Sequence, residues 1–256
     1  MSDLVRLIDV TKSFAGLGTR AAVPAVTGLS LDIREGDFLT IFGPNGCGKT
    51  TVLRLIARLL TPDSGQILYA SQGGPLEVGC VFQNYADTLL PWRTVRGNAS
   101  RALEYRRIPR HLHDSIVRPL LEQFQLDAHA DKYVCELSGG LKQLTSIVSA
   151  LVQRPRLLLL DEPFSAVDYV SSRVQWIRFR EYCALSGTTA VLVSHNLDEA
   201  VFLGDRIAVL GKSPDHPVTV LDISLAGARK LDMLRSEEFF HMRNEVLGAL
   251  NTGATG

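Results

Sequence analysis

Residues 43–51 read Gly43-Pro44-Asn45-Gly46-Cys47-Gly48-Lys49-Thr50-Thr51, and no other stretch constrains the fold as tightly. The spacing is G-x-x-x-x-G-K-[ST], in which glycines let successive backbone N–H groups converge on phosphate oxygens. Such a loop works only between a strand that fixes its start and a helix whose positive N-terminal end faces the same anion. Both flanks are present. Phe38 to Phe42 is a short apolar run of strand length, and Thr51 to Leu60 carries Val52, Leu53, Leu55, Ile56 and Leu59 at helical spacing, with Pro62 as the expected stop. Lys49 is placed to reach the outer phosphates, and the Thr50 hydroxyl to ligate a divalent cation.

The rest of the chain repeats this alternation. Strands are expected over 4–10, 26–33, 66–69, 78–82, 156–160, 188–194, 206–210 and 218–223, and helices over 170–185, 196–203 and 236–250. Between Arg96 and Lys132 strand signals give way to charged residues and helical spacing (Ile116, Leu120, Phe124), which predicts a helical insertion. The fold class is therefore α/β, a mainly parallel sheet covered by helices. The last residues, Thr252 to Gly256, are expected to fray.

Composition bounds the function. Lys plus Arg and Asp plus Glu both number 27, a formal net charge of zero, which argues against wholesale binding of a nucleic-acid backbone. Apolar runs such as Leu157 to Leu160 are far short of a bilayer span, and Met1-Ser2-Asp3-Leu4 lacks an export pattern. Cys47, Cys80, Cys135 and Cys183 stand far apart, with neither metal-ligand nor disulfide spacing, which fits a reducing compartment. Cys47 lies inside the glycine loop, so a thiol reagent is expected to inhibit and a bound nucleotide to protect.

Two further motifs add chemistry. Leu157-Leu158-Leu159-Leu160-Asp161-Glu162 is an apolar strand ending in two carboxylates, able to offer one to a metal and one to an attacking water. Leu137-Ser138-Gly139-Gly140 opens a helical run, where a hydroxyl and free N–H groups form an anion-binding turn. With Ser194-His195 following, this order resembles the nucleotide-binding subunits of ABC transporters, from about Leu4 to Leu250.

The resemblance implies a P-loop NTPase core with an antiparallel β subdomain and a helical subdomain at about 93–153, within an ATPase domain at 1–230 and before a helical tail at 231–256. It implies ATP and Mg²⁺ as ligands. Phe14 sits where the family stacks an aromatic ring on adenine. Gln83 sits where a glutamine meets Mg²⁺ and water, and His195 where a histidine senses the γ-phosphate. Thr50, Gln83 and Asp161 are the implied metal ligands, and Glu162, His195, Lys49 and Gln83 the implied catalytic set. Asp168 matches the segment that communicates across a head-to-tail dimer. There, Ser138, Gly139 and Gly140 of one subunit close on the phosphate loop of the other.

The chain departs from the family at Leu141, Leu144 and Ser149, where a glutamine and two arginines are usual. Drift at a tolerated position and an asymmetric pair of unlike subunits both account for this. The run Ala86-Asp87-Thr88-Leu89-Leu90-Pro91-Trp92-Arg93-Thr94-Val95 is similar to the branch importing nitrate, sulfonate and taurine, with Leu89, Leu90 and Trp92 as an exposed contact or as buried residues. That resemblance implies integral-membrane permease subunits, a second ATP-binding subunit (homo- or heterodimer), an indirect link to a solute-binding protein, and a place on the cytoplasmic face of a bacterial inner membrane. A soluble ABC ATPase without a permease and a hydrolysis-impaired partner subunit remain alternatives.

Overall fold

The structure, a computed structural model, describes residues 2–15, 22–70, 76–84, 88–213, 216–225 and 229–252. Expectations for Ala86, Asp87 and the extreme C-terminus at 253–256 lie outside these residues. In chain order the first elements are β1 (Asp3–Ala15), β2 (Ala22–Arg34), β3 (Phe38–Phe42), α1 (Lys49–Ile56), β4 (Ser64–Tyr69) and β5 (Val78–Val81). Then come α2 (Val95–Tyr105), α3 (His113–Gln123), α4 (Gly139–Leu151), β6 (Leu157–Asp161) and α5 (Tyr169–Ser186). The chain closes with β7 (Thr189–Ser194), α6 (Leu197–Leu203), β8 (Arg206–Val209), β9 (Thr219–Asp222) and α7 (Glu237–Thr252).

Contacts divide the chain into two compact units, one of Met1–Leu76 with Thr189–Gly256 and one of Glu77–Thr188. In the first, β3 lies between β7 and β8, parallel to both, and β9 joins β8 antiparallel. Every residue of β3 and of β7 is buried, as expected of strands covered on both faces. A separate antiparallel sheet runs β2-β1-β4. There β1 continues beyond the expected 4–10 to Ala15, because Phe14 and Ala15 still pair with Val23 and Ala22. A buried ion pair supports the β3–β8 edge: Arg206 donates to Asp37 Oδ2 at 3.1 Å and to the Asp32 carbonyl at 3.0 Å.

Helix α1 begins two residues before the expected 51 and ends at Ile56, well short of Leu60. Pro62 does not stop it. Arg58 adopts φ 59°, the Leu59 N–H donates to the Arg54 carbonyl and the Arg58 N–H to the Leu55 carbonyl, a Schellman closure with arginine where glycine is usual. The left-handed backbone costs about 1 kcal/mol. The Arg58 guanidinium stacks 3.8 Å from the Tyr69 ring centroid, a compensating contact. Leu59 is left 59% exposed and takes no part in the helix face.

In the second unit β5 and β6 pair in parallel, Val81 opposite Leu160, and all of β6 is buried. The expected insertion is helical, with α2 capped by the Thr94 hydroxyl, which accepts from the Gly97 N–H at 3.1 Å, and α3 following. Helix α5 starts on Asp168 and ends on Gly187 at φ 67°.

Candidate active site

The first unit carries the phosphate loop. Register places Phe42 opposite Ser194 on one side and Val209 on the other, so Gly43 and His195 emerge from neighbouring strand ends. The loop is closed on itself: Lys49 is 6% exposed, and its ammonium donates to the carbonyls of Gly43 and Pro44 at 2.8 Å each. These partners are neutral, so the lysine charge stays available to an anion. Gly48 has φ 96° immediately before α1, and a Cβ there would stand 2.3 Å from the Ala25 carbonyl oxygen. Only glycine fits, and the N–H groups of the first turn of α1 are left pointing at the loop.

Asn45 and Gly46 are exposed at the loop tip, Pro44, Thr50 and Thr51 are half-buried, and Gly43 is buried. Cys47 is 6% exposed, and burial raises its thiol pKa, Lys49 opposing the shift only in part. A thiol reagent is therefore expected to reach it slowly. His195 is exposed at the end of β7. The turn that contains it is held by Ser194, whose hydroxyl donates to buried Glu199 and accepts from the Asn196 N–H. Phe14 is 42% exposed near the end of β1, with the Lys12 ammonium 5.9 Å from its ring centroid. Its open face suits stacking.

The second unit carries the carboxylates. Asp161 ends β6 and is 3% exposed, and Glu162 follows it at φ 50°, a left-handed conformation uncommon outside glycine. Gln83, just beyond β5, donates from its amide nitrogen to Glu162 Oε2 at 3.2 Å. Ser138 caps α4, its hydroxyl accepting from the Leu141 N–H at 3.4 Å, while Ser138 and Gly139 stay exposed. Gly140 packs tightly, with a Cβ there 3.2 Å from the Ala166 carbonyl oxygen. Asp168 caps α5 and accepts from the N–H groups of Ser171 and Val170, bonds that hold its carboxyl below the usual carboxylate range.

Divergent positions on α4 are accommodated by the fold. Leu144 is 5% exposed, so an apolar side chain suits its place, and the Ser149 hydroxyl donates back to the Thr145 carbonyl at 2.7 Å. The Leu89-Leu90-Trp92 run splits: Leu89 is 4% exposed, Leu90 half-buried and Trp92 69% exposed.

The profile of the ABC transporter family matches residues 26–165, from inside β2 past both carboxylates. The chain belongs to the ABC transporter family. An uncharacterized ABC transporter ATP-binding protein of Methanocaldococcus jannaschii is 34% identical over 249 residues, 96% of this chain and 91% of that protein. The nitrate import ATP-binding protein NrtC of Synechococcus elongatus is 38% identical over 239 residues, 88% of this chain, which spans only 35% of NrtC. Among solved structures, the ATP-binding cassette MJ0796, a dimer in a post-hydrolysis state bound to ADP and Pi, superposes with TM-score 0.75 and 25% identity, over 87% of this chain and all of that one. The ABC ATPase fold expected from the motifs is thereby established, in a family of ATPases.

One residue of this ABC cassette escapes the motif reading. Gln143 on α4 is fully buried, and its amide donates to the Glu162 carbonyl at 2.9 Å and to the Ser165 hydroxyl at 3.3 Å, and accepts from the Ala166 N–H at 2.8 Å. Gln143 stands four residues before Ile147 and eight before Leu151, on the buried face of the helix, and that spacing was the available signal, since a buried amide must find partners.

Proposed function

We propose that the chain hydrolyses ATP as the energy-coupling subunit of a membrane importer for a small anion. The contact between Gln83 and Glu162 carries this reading. It sets a carboxylate beside an amide at the ends of two parallel strands, where one can accept a proton from an attacking water and the other can orient that water. Lys49 and the first-turn N–H groups of α1 hold the phosphates, and His195 offers a hydrogen bond to the outermost one.

Thr50, Gln83 and Asp161 would hold Mg²⁺. A hydroxyl, an amide oxygen and a buried carboxylate form an all-oxygen set that suits a hard cation. When bound, the ion neutralises charge on the phosphoryl oxygens. Phe14 would stack on the base. Ser138, Gly139 and Gly140 would meet the nucleotide of a second cassette, with Asp168 at the same face, and the dimeric state of the MJ0796 relative supports that pairing.

Trp92, exposed after Gln83, is the proposed contact for a permease. Among the described residues no helix is long and apolar enough to cross a membrane, so the permease would be a separate chain or segment. A solute-binding protein would act through it, on the far side of a bacterial inner membrane. The anion class rests on the Leu89-Leu90-Pro91-Trp92 resemblance and on NrtC. Co-purification from native membranes tests the reading. Recovery of an integral-membrane permease whose vesicles take up nitrate or a sulfonate on ATP addition supports it. A chain that remains in the soluble fraction without a membrane partner contradicts it.

A further inference from the structure

We propose that Gln143 is a positioning residue that holds the Glu162 backbone in its left-handed conformation and locks it to the first turns of α4. This rests on the reading of Glu162 as general base. The Gln143 side chain is 0% exposed and reaches the loop after β6 at three points: the Glu162 carbonyl, the Ser165 hydroxyl and the Ala166 N–H. The bond to the Glu162 carbonyl fixes one end of the peptide that follows the carboxylate residue. The bond from Ala166 fixes the loop four residues on. Because Glu162 has φ 50°, its carboxylate direction depends on contacts that keep that backbone from relaxing to an ordinary strand geometry.

Gly140, one turn earlier on the same helix, brings the helix against Ala166 and Val167, and a Cβ there would make a tight contact of 3.2 Å with the Ala166 carbonyl oxygen. Ser138, Gly140, Gln143 and the 162–167 loop thus form one piece within this unit. Displacement of the Ser138 turn is transmitted to Glu162 through the Gln143 amide.

Two variants of the full chain in its native complex test this. Gln143→Glu keeps size and an acceptor for Ala166 but removes the donor facing the Glu162 carbonyl. Gln143→Met keeps volume and removes both. Rates are expressed per nucleotide-binding site, titrated with a fluorescent ATP analogue, so that misfolded molecules do not count. The expected result is a kcat lower by roughly 10- to 100-fold with nucleotide affinity within about twofold of wild type. A kcat per site within about twofold of wild type for both variants overturns the proposal, as does loss of affinity in step with rate. A wild-type rate no higher than that of Glu162→Gln removes the general-base reading itself and this inference with it.

Discussion

Gln83 and Glu162 lie 79 residues apart in sequence, yet the Gln83 amide nitrogen sits 3.2 Å from Glu162 Oε2. The β5–β6 register, Val81 opposite Leu160, brings them together. Each side chain follows the C-terminal end of a parallel strand, the edge where open α/β sheets bind ligands. Loss of the amide removes one hydrogen bond from the Glu162 carboxylate. Gln83→Ala is therefore expected to lower kcat about tenfold, the equivalent of one hydrogen bond of about 1.4 kcal/mol, with ATP affinity near wild type. Steady-state kinetics beside equilibrium nucleotide binding separates the two.

Cys47 reports on closure of the loop. It is buried with a raised thiol pKa, whereas Cys135 is exposed. Alkylation near neutral pH should label Cys135 first and Cys47 at least roughly tenfold more slowly, with ATP slowing it further. Mass spectrometry of peptides over a time course checks this. Equal labelling of both thiols contradicts the loop geometry.

Arg206 and Asp37 form a buried ion pair, each side chain 8% exposed. Burial already raises the Asp37 carboxyl pKa, and Arg206 is the main group opposing that shift. Arg206→Ala strands a buried carboxylate and should destabilise the chain by about 3–5 kcal/mol in chemical denaturation. Asp37→Asn in the same background should recover part of that loss.

Asp168 makes a pH prediction. Its folded pKa lies below the ordinary carboxylate value because the Ser171 and Val170 N–H groups stabilise the ionised form. A depressed pKa contributes stability that is present above the unfolded value and is lost as pH falls through the folded one. The Tm difference between wild type and Asp168→Ala should therefore be constant near neutrality and shrink below about pH 4. A difference that grows on acidification contradicts the capping geometry.

Much of the site is legible because the residues that matter are local. The 43–51 loop sits between a strand and a helix that its own motif demands, and β3 spans Phe38 to Phe42 as the apolar run indicates. Leu157 to Leu160 announces a strand buried on both faces, which carries Asp161 and Glu162 to its end. What escaped depends on contacts between distant segments. Helix α1 ends early because Arg58 turns left-handed beside Tyr69, and no helical periodicity encodes that. The separate fates of Leu89 and Trp92 reflect packing rather than hydrophobicity. Gln143 owes its role to the Glu162 and Ala166 backbone, which lies 19 to 23 positions away in the chain.

The central claim is that Glu162 activates water for hydrolysis of ATP held at the Lys49 loop. Its most direct measurement is phosphate release by the purified complex, wild type against Glu162→Gln, with ATP binding measured in parallel. A wild-type turnover at least about a hundredfold above the variant, with ATP bound equally by both, is the predicted result. Equal phosphate release from the two would contradict it.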